Sequence, residues 1–147
     1  MPTFNHSGPV CYCTGYKYQS QSQWWIDTNI TGYSAEVSGF VKLDSSGRLT
    51  LSALYAWDGP SGPTFDTPDF ILPSLAHDGG YQLLRETDLP ETLRAAFDSL
   101  LYDLCLQCGM SEIRARYVYE AVKLFAQNAA AKKAKKLFYV DCVAVNG

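Results

Sequence analysis

The sequence predicts an α+β domain: an antiparallel, β-rich N-terminal part with a hairpin, three helices packed on one side, and a closing C-terminal strand. Three observations predict it. Residues 10–57 are rich in Tyr, Trp, Val, Ile and Thr and alternate apolar with polar. From about residue 73 the apolar period changes to 3.6, and residues 137–145 alternate again. Strands followed by a run of helices favour helices gathered on one face of an antiparallel sheet.

Val10 to Tyr18 and Gln23 to Ile30 read as strands, with Trp24 and Trp25 pointing to opposite sheet faces. The strongest local signal is a hairpin. Val37, Gly39, Val41 and Leu43 alternate with Ser38, Phe40 and Lys42; Asp44-Ser45-Ser46-Gly47 turns the chain; Leu49, Leu51, Ala53, Tyr55 and Trp57 continue the alternation. Asp58-Gly59-Pro60-Ser61-Gly62-Pro63-Thr64 then breaks regular structure and shapes a loop.

A first helix is expected from about Pro73 to Leu84, with Pro73 in its first turn. A second starts at Pro90, with Asp88 near its cap and Glu91 in its first turn. It carries the apolar stripe Leu93, Phe97, Leu100, Leu104 and Cys108, and ends at Gly109. A third follows Ser111 with the stripe Ile113, Tyr117, Ala121 and Leu124, and fades into a basic end over residues 129–136. Leu137 to Val145 is the closing strand.

One domain over residues 1–147 fits the length, and a chain of this size needs no disulfide or metal to fold. Apolar residues at 47% and charged residues at 18% exclude a disordered chain. No uncharged apolar run approaches the ~18 residues of a membrane span. The start, Met1-Pro2-Thr3-Phe4, lacks the basic-then-apolar order of a signal peptide. The expectation is a soluble, intracellular protein.

The net charge of -3 divides unevenly. Residues 1–100 carry 5 basic and 11 acidic side chains, and residues 101–147 carry 7 and 4. Lys132, Lys133, Lys135 and Lys136 read as a solvated helix end, so nucleic acid is not the expected partner. Cys11-x-Cys13 and Cys105-x-x-Cys108 could supply four thiolates to zinc, but the second pair falls inside a helical stretch and reads as core.

The residues that could carry chemistry centre on His77-Asp78-Gly79-Gly80-Tyr81. His77 and Tyr81 share a helix face at i,i+4, and Gly79 and Gly80 make sense where something approaches closely. On the second helix Asp98, Tyr102 and Cys105 form a stripe beside the apolar one. Two packed helices would face His77 toward Asp98, which orients the imidazole and frees its other nitrogen as a base. The same pair also fits a buried polar network that fixes helix register. Asp58 and Asp78, with carbonyls of the Gly/Pro loop, would offer hard oxygen ligands to a divalent cation, calcium or magnesium. Ser61, Thr64, Tyr81 and Arg85 are the candidate substrate-binding side chains, for an ester or phosphate-containing ligand.

Tyr55-Ala56-Trp57-Asp58-Gly59-Pro60-Ser61-Gly62-Pro63-Thr64, followed by Asp66-Thr67, resembles the signature of a phage- and prophage-encoded family, domain of unknown function family 1353. The resemblance continues through Ser74–Asp78, Tyr81–Glu86, Arg94–Asp98, Gly109-Met110, Arg114-Ala115 and Tyr117–Tyr119, and covers roughly residues 36–126. The sequence departs from the family pattern at Gly79-Gly80, where a bulkier pair is expected, and at Phe97, where Ala is commoner before Asp98. The resemblance implies a bacteriophage protein in the bacterial host cytoplasm or the virion, with a phage or host protein as partner, and no assigned reaction. The matching polar positions are Asp58, Ser61, Thr64, Asp66, His77, Asp78, Tyr81, Arg85 and Asp98. The order of loop, His-Asp-x-x-Tyr and helix-borne Asp is also similar to the phospholipase A2 type of site, without that class's paired disulfides. Two functions follow: a His-Asp hydrolase-like site, or a non-enzymatic virion component, assembly factor or inhibitor of a host defence protein.

Overall fold

The computed structural model describes residues 2–13, 18–57 and 67–131. It shows an α+β architecture with two antiparallel sheets and three helices. β1 (Tyr12–Cys13), β2 (Tyr18–Ser20) and β7 (Ala56–Trp57) form a small sheet in the order β1-β2-β7. β3 (Trp24–Asp27), β4 (Ala35–Val37), β5 (Val41–Leu43) and β6 (Arg48–Leu51) form the larger one in the order β3-β6-β5-β4. The helices are α1 (Pro68–Glu86), α2 (Leu93–Gln107) and α3 (Glu112–Ala131).

The larger sheet obeys period two. Trp24, Ile26, Val41, Leu43, Leu49 and Leu51 point inward and are buried, while Trp25, Lys42 and Thr50 take the outer face. Trp24 and Trp25 divide between the faces as the alternation requires. Outside, Arg48 pairs with Asp27 directly across the strands at 2.6 and 3.0 Å and lies 3.7 Å over the Trp25 ring.

The expected single hairpin is cut twice. Residues 38–40 turn, with Gly39 at φ +82° and the Phe40 N–H donating to Val37 O, so β4 and β5 pair with each other. A glycine that fell in step with the alternation concealed that turn. After Leu51 the chain turns again at Ala53-Leu54, where Leu54 has φ +67°, and Ala56–Trp57 joins the small sheet instead of extending β6.

α1 begins five residues before the expected Pro73. Thr67 is extended, Pro68 occupies the first turn where its missing N–H costs nothing, and Asp69 meets the positive end of the helix. Burial of Phe70 and Ile71 adds the apolar contact that holds this extra turn. Pro73 is then inside the helix and buried. Arg114 of α3 locks the same end, donating to both Asp69 carboxylate oxygens at 3.1 and 3.2 Å and to Thr67 Oγ1 at 2.6 Å.

α2 begins at Leu93, after a turn over residues 90–92. Its C-terminus is closed by Gly109 at φ +96°, with Gly109 N–H on Leu106 O and Met110 N–H on Cys105 O. Ser111 Oγ accepts from the Arg114 N–H as α3 opens. The expected α3 stripe does not face the core. Ile113, Tyr117 and Leu124 are 86%, 50% and 60% exposed, and Ala115, Val118 and partly buried Val122 face α2 instead. Apolar residues occupy both sides of this helix, and its packing against the small side chains could not be read from period alone. The basic end beyond Ala131 and the strand expected over residues 137–145 lie outside the described residues.

α1 packs on β4, β5 and β6, α2 packs on α1, and α3 on α2. The adjacent glycines serve opposite neighbours. A Cβ at Gly79 would stand 3.0 Å from Leu51 Cδ2 in the sheet; a Cβ at Gly80 would stand 2.3 Å from Phe97 Cδ1 in α2. Two glycines cost a helix about 1 kcal/mol each relative to Ala. Here they let α1 approach the sheet and α2 at once. Gly80 and Phe97 therefore meet, the large ring filling the space of the absent side chain.

Candidate functional site

The close approach brings three polar side chains together between α1 and α2. His77 Nε2 lies 2.8 Å from Asp98 Oδ1, and the Tyr81 hydroxyl donates to that same oxygen at 2.6 Å. The His77 and Tyr81 rings are 4.1 Å apart, inclined at 36°. His77 is 8% and Asp98 3% exposed. A carboxylate oxygen accepts, so the imidazole N–H that faces Asp98 is the one on Nε2.

Burial raises the Tyr81 pKa, and its bond to the Asp98 carboxylate raises it further, while the field of Arg94 opposes both. Tyr81 therefore remains a neutral donor that keeps one lone pair of Asp98 occupied. Arg94, one turn before Asp98 on α2, pairs with the exposed Glu91 at 3.3 Å. Its proximity to Tyr81 depends on how the two helices pack, which residue spacing within either one does not reveal.

The strand side braces α1 on both flanks of His77. Trp57 Nε1–H donates to Ser74 Oγ at 3.0 Å, and the Tyr55 hydroxyl donates to Gln82 Oε1 at 2.8 Å. Trp57, bonded to Ser74, and Thr67, the N-cap of α1, are the described residues on either side of the Gly/Pro segment. Such bracing fixes the helix on which the histidine rides.

Of the residues expected at a site, His77, Asp98 and Tyr81 are in mutual contact. Asp78 is half-buried on the neighbouring face of α1, and Arg85 is exposed in its last turn. Asp58, Ser61, Thr64 and Asp66 lie outside the described residues. Among the described residues, no three His, Cys, Asp or Glu side chains cluster as a metal site.

The Cys13 side chain and Cys142 lie outside the described residues. Cys11 is exposed, Cys108 is partly buried, and Cys105 is buried in the α2–α3 cluster, where desolvation pushes its thiol up to about 12. No helix among the described residues is long and apolar enough to cross a membrane. Comparison with protein-family models, curated proteins and solved structures finds no match to this chain.

Proposed function

We propose that the chain is a bacteriophage-encoded hydrolase in which His77 is the general base. One observation carries this reading: Asp98 Oδ1 receives both His77 and Tyr81, which leaves imidazole Nδ1 as the free basic nitrogen. In the proposed reaction Nδ1 takes a proton from water as the oxygen attacks an ester carbonyl or a phosphorus centre. The imidazolium then returns that proton to the departing alkoxide, so charge and atoms balance. Asp98 and Tyr81 are positioning residues: Asp98 sets the tautomer and steadies the imidazolium, and Tyr81 holds Asp98. Asp78, with Asp58 from the Gly/Pro segment, is the carboxylate pair proposed for calcium or magnesium. When bound, such an ion would polarise the oxygen under attack. Ser61, Thr64 and Arg85 are the remaining candidates for contact with substrate. The phage setting, in the host cytoplasm or the virion, rests on the resemblance to domain of unknown function family 1353.

The test is turnover of a panel of phospholipids, carboxylic esters and nucleotides, with and without calcium or magnesium. Wild type is expected to turn over one class, and His77→Ala to lose about 10²–10⁴-fold. Asp98→Asn should fall by a smaller factor with KM unchanged. No turnover by wild type on any class, with the phage phenotype intact in both variants, overturns the reading.

A second reading, a non-enzymatic phage protein that binds a phage or host partner, is favoured by the outward stripe of Ile113, Tyr117 and Leu124 on α3. Ile113→Asp with Tyr117→Ser should then abolish the phage phenotype while leaving the melting temperature unchanged. Mass spectrometry of purified virions separates a virion role from a host-directed one.

A further inference from the structure

We propose that the groove between the β3–β4 connection and α2 binds an organic ammonium group carried on a short apolar stem. The groove is independent of the His77 site. Leu100 and Ala96 line it and lie two residues either side of Asp98, about 200° around a helix of 3.6 residues per turn. It therefore opens on the far side of α2.

Its volume is about 240 Å³, below the ~300–1,000 Å³ of pockets that take drug-sized molecules, so a ligand of few heavy atoms fits. Ile30, Leu93 and Leu100 are its apolar lining, Tyr33 its aromatic one, and Asn29, Thr31, Ser99 and Asp103 its polar one. Among the described residues Asp103 makes no hydrogen bond or salt bridge. Burial raises its pKa, and the positive charge of the amino terminus only partly opposes that rise. A carboxylate in a groove with apolar and aromatic lining matches an alkylammonium. It repels anions.

The ammonium could come from a free amine or from a lysine side chain on another polypeptide, and the experiment separates the two. ¹⁵N-labelled protein is titrated with n-butylammonium chloride, with a capped Gly-Lys-Gly tripeptide, and with sodium propionate, at fixed ionic strength. Saturable shifts confined to residues 29–33 and 93–103 are expected with the amine or the tripeptide, and none with propionate. Tighter binding of the tripeptide assigns a protein lysine, and tighter binding of butylammonium a free amine. Asp103→Asn should weaken binding at least tenfold without lowering the melting temperature, because it removes a desolvated charge. Ala96→Leu, which fills the groove and leaves Asp103 in place, should block binding as well. Unsaturable or scattered shifts, equal affinity in either variant, or a lowered melting temperature for Asp103→Asn overturn the proposal.

Discussion

The two helix–helix interfaces of this protein are built on opposite terms. Between α1 and α2, Gly80 lies against the Phe97 ring, and beside them a buried carboxylate collects two hydrogen bonds. Between α2 and α3, Leu101, Cys105, Met110, Ala115 and Val118 form an apolar cluster with Phe70. Close approach between α1 and α2 costs helix propensity at Gly80 and desolvation at His77 and Asp98. An interface needed only for packing would carry neither, as the α2–α3 contact illustrates. The difference teaches where to look for function: at the contact that keeps expensive groups, not at the one that simply excludes water.

The largest expected effect is on the tight interface. Phe97→Ala empties a fully buried aromatic site and should destabilise by about 3–5 kcal/mol in urea unfolding. Gly80→Ala pushes a methyl into the Phe97 ring and should cost about 2 kcal/mol after the gain in helix propensity. Combined with Phe97→Ala it should cost much less than the sum, because the clash disappears. Strict additivity would show that the two residues do not share this space.

The apolar interface should fail in alkali instead. The raised thiol pKa of Cys105 makes the folded state hold a proton that the unfolded chain releases above its ordinary value of 9.0. Its contribution is complete below pH 9 and is lost as pH rises toward about 12, at roughly 1.4 kcal/mol per pH unit. Cys105→Val should flatten that part of the stability–pH profile. Iodoacetamide at pH 8 should label exposed Cys11 well before Cys105, read by peptide mass spectrometry.

Smaller still, Tyr81→Phe removes one bond to Asp98 and should cost about 1–2 kcal/mol. Ile113→Asp, on the outer face of α3, should shift stability by less than about 0.5 kcal/mol. A large loss there would show that the outer face is already covered.

These contrasts also explain what was legible in the sequence. The three helices follow from a 3.6-residue period. The meeting of His77 with Asp98 follows from two polar positions beside two apolar stripes. Local terms decide the helices, and the meeting needs in addition that α1 and α2 pack, which their apolar stripes imply. The turn at Gly39 was hidden because its neighbours kept period two across it. The start of α1 at Pro68 is held by Arg114, 45 residues beyond its partner Asp69, and the buried face of α3 depends on which small side chains α2 accepts. The Asp103 groove needs the β3–β4 connection laid against α2, which no spacing within either segment predicts.

The central claim is that Asp98 holds His77 with Nδ1 free. Long-range ¹H–¹⁵N NMR of the histidine rings near pH 7.5 tests it most directly. Neutral His77 is expected to carry its proton on Nε2, and Asp98→Asn to disturb this preference. A neutral His77 with its proton on Nδ1 would contradict it, since Nε2 would then be a lone pair facing the carboxylate and no free base would remain at Nδ1.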